Sequence, residues 1–131
     1  MTKAIIKTLL AKVLNTPLVI EEGTDGIWTY RKWSDGTAEC WGSDTTTGTF
    51  TAWGNGFSHD IPPRAFPTGL FTEAPITIAM CLVGGVGAIS SISANTGNKD
   101  STPQVITFRP TSAGSSTQTF ITKYYSLGKW K

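Results

Sequence analysis

The stretch Gly26-Ile-Trp-Thr-Tyr-Arg-Lys-Trp-Ser-Asp-Gly-Thr-Ala-Glu-Cys-Trp-Gly42 decides the fold class. Two runs rich in aromatic and β-branched residues, 27–33 and 37–41, flank Ser34-Asp35-Gly36. Asp-Gly between such runs is a strong hairpin signal, because glycine supplies positive φ without steric cost. In the first run Trp28, Tyr30 and Lys32 share one face, and Ile27, Thr29, Arg31 and Trp33 share the other. Aromatics on both faces predict cover on both sides. Cross-strand aromatic pairs stabilise a hairpin by roughly 0.2–1 kcal/mol each. Trp28, Tyr30, Trp33 and Trp41 therefore read as structural first and as a subunit interface second. Arg31 and Lys32 are expected to be solvated or paired with Glu39.

Composition extends this reading to most of the chain. Among 131 residues there are 21 Thr, 11 Ser and 14 Gly, with 15% charged and 11% aromatic residues. That is neither a disordered nor a coiled-coil composition, and the length suits one core. Further strands are expected at 45–53, 86–94, 104–109 and 117–125. The run 74–83, with Ile76, Ile78, Met80 and Leu82 alternating against Thr77, Ala79 and Cys81, reads as the clearest core strand. Residues 15–26 read as a connector. The Gly- and Pro-dense stretch 54–67 is expected to lie outside any central strand, since proline removes a ladder donor. The fold class is thus all-β, an antiparallel β-sandwich or meander with a short N-terminal α-helix.

That helix is the exception to the pattern. In residues 2–15, Ile6, Leu9 and Val13 follow 3,4 spacing, with Ile5, Leu10 and Leu14 flanking the stripe. Thr2 is placed to cap its start, and Asn15 with Pro17 ends it. So short a helix is marginal alone and must pack on something, either its own β domain or copies from other subunits. The division is 1–16 as amphipathic helix, for stalk or oligomerisation through Ile6, Leu9 and Val13, and 17–131 as the β domain.

Charge narrows the partners. Lys3, Lys7 and Lys12 make the helix +3, whereas the remaining residues hold eight bases and nine acids, within a total of +2. A nearly neutral body offers no phosphate-neutralising surface, so no nucleic acid is expected. No apolar run approaches the roughly 18–20 residues of a membrane span, and residues 1–14 make a poor signal peptide. Synthesis in a cytoplasm without membrane insertion is expected. Cys40 and Cys81 are too few for a disulfide scaffold and have no zinc-type spacing, and they read as small buried residues in preference to a disulfide. No metal or cofactor is implied.

Catalytic material is sparse. His59 stands alone and beside Asp60, and adjacent residues on an extended chain point to opposite sides. A glycan-cleaving carboxylate pair among Asp25, Asp35, Glu39, Asp44, Asp60 and Glu73 is the third reading of function, behind non-enzymatic ones. Binding has more support. Trp53-Gly-Asn-Gly-Phe-Ser-His-Asp60 gathers an aromatic face and short polar side chains suited to saccharide hydroxyls, which makes Trp53, Asn55, His59 and Asp60 the candidate receptor or glycan contacts. The structural alternative makes Trp53 a strand-end core residue and Asn55 a turn residue.

The 26–42 run also resembles a segment of minor structural and tail-tip proteins of bacteriophages and prophages. The order of Cys40-Trp41-Gly42, Ala65-Phe66-Pro67 before Ile76–Val83, and Phe120–Tyr125 is similar in outline to C-terminal β domains of tail-fibre and receptor-binding proteins. The resemblance implies a homotrimeric virion protein at a tail tip that binds a bacterial surface glycan. Its alternative is a purely structural tail or baseplate component that touches only other phage proteins.

Overall fold

The computed structural model describes residues 2–84, 89–92, 98–110 and 117–131, with the backbone alone for 89–92. Helix α1 spans Lys3–Leu14. The Thr2 hydroxyl accepts from the Ile5 amide at 3.3 Å, and Asn15 closes the helix in the left-handed region at φ 52°. Both ends fall where the sequence predicts them. The packing does not follow the stripe, however. Ala11 is the one buried helix residue, and the Lys7 ammonium donates to the Val19 carbonyl at 2.9 Å.

Among the described residues, nine strands form two antiparallel sheets. The five-stranded sheet has the order β1 (Val19–Asp25), β2 (Trp28–Trp33), β3 (Thr37–Gly48), β9 (Gln118–Lys129), β6 (Ile76–Val83). The four-stranded sheet has the order β4 (Thr51–Trp53), β5 (Gly56–Ile61), β8 (Val105–Arg109), β7 (Ile89–Ile92). The β2–β3 hairpin sets the register with Tyr30 opposite Cys40 and Lys32 opposite Ala38. Its turn needs Gly36 at φ 94°, and the Asp35 carboxylate accepts the Thr37 amide at 2.9 Å. That hydrogen bond holds the Asp35 carboxyl below the ordinary carboxylate range. Arg31 reaches Glu39 at 3.9 Å and Glu22 at 3.7 Å, while Lys32 pairs with Glu21 at 3.2 Å.

Four expectations change. Residues 19–25 form an edge strand where a connector was expected, because Lys7 and the hairpin both hold that segment. The expected 45–53 strand is two strands in different sheets: β3 ends at Gly48, and the chain turns at Phe50, buried 5.5 Å from the Phe120 ring, before β4 begins. Residues 56–61 form a strand inside the second sheet, since proline begins only at Pro62 and every amide of β5 remains available to the ladder. Parts of the expected 86–94 strand and of the loops at 95–100 and 110–116 lie outside the described residues.

The fourth change concerns β6. It is a strand, but it turns its large side chains outward: Ile76, Ile78, Met80 and Leu82 are 74, 65, 63 and 51% exposed. Thr77, Ala79, Cys81 and Val83 face inward, aligned with Ser126, Tyr124, Thr122 and Phe120 of β9. The reason is volume. Phe120 and Tyr124 already fill the space beneath the sheet, and Phe71 and Pro75 crowd Gly128 so closely that a Cβ there would lie 2.9 Å from the Phe71 ring. Only small inward side chains fit opposite them. The Thr77 and Ser126 hydroxyls, 2.8 Å apart, satisfy each other.

One core serves both sheets. Trp28, Cys40 and Phe120 from the first meet Phe50, Ile61 and Val105 from the second and its entry. The segment 62–75 covers one side with Phe66, Leu70 and Phe71, and is tied down by the Trp28 indole donating to the Ala65 carbonyl at 2.6 Å.

Candidate functional site

The 53–60 stretch is the β4–β5 hairpin, turning through Gly54 at φ 57° and Asn55. Because residues alternate along β5, the hairpin sends its candidate residues in two directions. Trp53 and Asp60 share the outer face of the second sheet with Ser58 and Phe108. Trp53 is 64% exposed, and its ring lies 5.1 Å from that of Phe108 at an interplanar angle of 56°. Asn55 sits at the turn beside it. These two, with Phe57, Arg109 and Pro110, line a shallow groove of about 270 Å³.

His59 goes the other way. Its ring stacks on Phe120 at 4.1 Å and 20°, and Nδ1 lies 3.1 Å from the Thr49 carbonyl, to which it donates when protonated there. Gly48 makes this possible, since any Cβ at that position would enter the imidazole. His59 thereby braces the corner where the chain changes sheets. The structure thus brings Trp53 and Asn55 to one groove, leaves Asp60 elsewhere on the same outer face, and places His59 on the core side.

A second concavity of about 460 Å³ opens between the β1–β2 turn and residues 64–68. Asp25, Asp44, Arg64 and Trp28 line it. Asp44 and Arg64 form a close ion pair, largely shielded from water. Two carboxylates therefore share one cleft, but a guanidinium neutralises one of them. Below it, burial raises the Tyr124 phenol above its ordinary value. Burial likewise pushes the Cys40 thiol up to about 12, so it is no nucleophile near neutrality. Both cysteines are buried, and neither forms a disulfide. Among the described residues no cluster of His, Cys, Asp and Glu has metal-binding geometry, and no helix is long and apolar enough to cross a membrane.

Sequence reasoning missed Phe108 and Arg109 as neighbours of Trp53, and Arg64 as the partner of Asp44. Phe108 lies 55 positions from Trp53, and only the pairing of β5 with β8 joins them. The residues proposed for oligomerisation, Ile6, Leu9 and Val13, are 52, 49 and 81% exposed. Compared with known proteins, the chain matches no family model, no curated relative and no solved structure.

Proposed function

We propose that the chain is a non-enzymatic, tail-associated module of a phage or prophage that assembles as a trimer and holds a bacterial surface glycan in the Trp53 groove. The observation that carries the binding role is the exposed Trp53 ring, set against Phe108 with Asn55 and Arg109 at its margins. An aromatic platform covers the apolar face of a sugar ring, while the Asn55 amide at the turn offers a donor and an acceptor to hydroxyls. The groove is shallow, so each site is weak. Three sites on one rigid body raise the effective concentration of each for its neighbours and convert weak contacts into lasting attachment. The tail-tip assignment draws on the resemblance of residues 26–42 and on an amphipathic helix that precedes a β domain.

Binding of the purified chain to isolated cell walls and to a glycan array tests this. Trp53→Ala is expected to weaken each site about two- to tenfold, the worth of an aromatic contact of ~0.5–1.5 kcal/mol, with the loss multiplied by avidity. Equal binding by Trp53→Ala and the native chain would remove the groove from the proposal. A chain that binds no wall or glycan, yet co-assembles with other tail proteins, would favour the purely structural reading.

A further inference from the structure

Among the described residues, the outer face of β6 and β9 leaves a broad apolar surface in water. Beside the four exposed residues of β6 stand Ile121, Tyr125 and Leu127 of β9, in unbroken register with them. Lys123 is the one charged residue of β9 among these rows, between Ile121 and Tyr125. Tyr125 is fixed in place, donating its hydroxyl proton to Glu39 at 2.7 Å. Seven adjoining large side chains, each at least 37% exposed, reach the range of ~300–600 Å² that the largest patch on an ordinary monomer occupies.

A second apolar surface lies at the opposite end of the same sheet. Helix α1 contacts β1, the far edge strand, with its small face and leaves Ile5, Ile6, Leu9, Leu10, Val13 and Leu14 about half to four-fifths exposed. The two surfaces differ in shape. One is a convex helix with aliphatic knobs, about 18 Å long at 1.5 Å per residue. The other is a strand pair, about 26 Å long at 3.3 Å per residue.

We infer that the outer β6–β9 face receives the α1 helix of a second copy of this chain, in a head-to-tail contact. The occupant is a copy because the chain itself carries both halves, a projecting apolar helix and an apolar strand face long enough to seat it, on opposite edges of one sheet. One contact covers a surface of each kind. Repeated around a ring, it covers all of them, which a pairing of like faces would not do. Each contact takes one patch from each copy, and the strand face at ~300–600 Å² supplies about two-fifths to three-quarters of the ~800 Å² that one partner gives to an ordinary stable interface. For the number of copies, and only for that, the inference rests on the trimeric reading above.

Mass measurement by light scattering on the full chain, alone and as two variants, tests the inference. Ile78→Lys spoils the strand face and Val13→Lys spoils the helix. Both positions are exposed in the single chain, and tryptophan fluorescence together with the unfolding midpoint confirms that each variant is folded. The native chain is expected to give a multiple of 14.0 kDa, with each variant weakening association about a hundredfold through an unpaired buried ammonium. The decisive sample is the mixture. Val13→Lys retains a sound face and Ile78→Lys a sound helix, so mixing them restores one contact and yields a dimer that neither forms alone.

A native monomer overturns both this contact and the trimer. Two variants that are monomeric and remain so when mixed exclude head-to-tail pairing. A trimer lost with Val13→Lys but kept with Ile78→Lys overturns this contact and leaves the threefold reading standing, through a helical bundle. A native dimer that obeys the mixing test supports the contact and overturns the threefold reading.

Discussion

Strand β1 ends the five-stranded sheet with Glu21, Glu22 and Asp25, a register shift between Val19 and Glu21, and a helix packed against it. Strand β6 ends it on the other side with eight consecutive ladder positions, no charged residue and no bulge. The first edge carries the devices that keep sheets from pairing at random: acids, an irregular ladder and a covering element. Among the described residues the second shows none of them, and it is apolar on its outer side. Since both belong to one sheet with one core, the contrast does not arise from a general need for solubility. It marks β1 as an end to be left in water and β6 as a surface to be covered.

The largest test of this comparison is the core behind it. Phe120→Ala, which removes a fully buried ring from between Phe50 and His59, is expected to cost about 3–5 kcal/mol in urea unfolding. Ile78→Ala in the dissociated chain should stay within about 0.5 kcal/mol, as surface substitutions do. Comparable losses at the two positions would mean that the outer face is core.

Thiol labelling reads the orientation of β6 directly. Cys81 lies in its inward row and Cys40 beneath β3, so iodoacetamide at pH 8 should modify neither at an appreciable rate until the chain unfolds. Native-state labelling of Cys81 at the unfolded rate would reverse the strand. The raised Cys40 pKa also has a sign. The folded state holds its proton up to about 12, whereas the unfolded thiol ionises near 9.0, so this group's contribution is intact below about 9 and is lost as pH rises from there towards 12. Cys40→Ala should flatten that alkaline decline in the unfolding midpoint.

The smallest effect on stability, and a qualitative one on solubility, belongs to β1. Glu21→Thr removes the exposed Lys32 pair and should cost under about 1 kcal/mol. Combined with Glu22→Thr it should make the chain associate further at rising concentration, seen as scattering above the native mass, because the edge loses two of its three acids. No change in scattering would mean that the helix and the register shift alone protect that edge.

Several features were legible in order along the chain. The helix stops at Thr2 and Asn15 because a hydroxyl cap and a residue tolerant of positive φ are local requirements. The Asp35-Gly36 hairpin and the two-residue period of 76–83 are local as well. Alternation reveals that a strand has two unlike faces, but it carries no sign. Hydrophobicity alone put Ile76 to Leu82 inside; the bulk of Phe120, Tyr124 and Phe71 put them outside. The candidate site divides the same way. Trp53 and Asn55 were visible as aromatic and turn residues of one loop, whereas Phe108 joins them only through strand pairing. His59 left the group because a glycine eleven residues earlier gave its ring a place on Phe120.

By itself, then, the sequence determined the elements whose causes lie within a few residues: one capped helix, a Gly-turned hairpin, and strands separated by turn-forming stretches. The tertiary structure decided which face of each strand is core, where the chain changes sheets at Phe50, and which residues share the groove. Those depend on how volume is shared among side chains distant in the chain. A close-packed interior accepts only one such sharing, and local periodicity does not encode it.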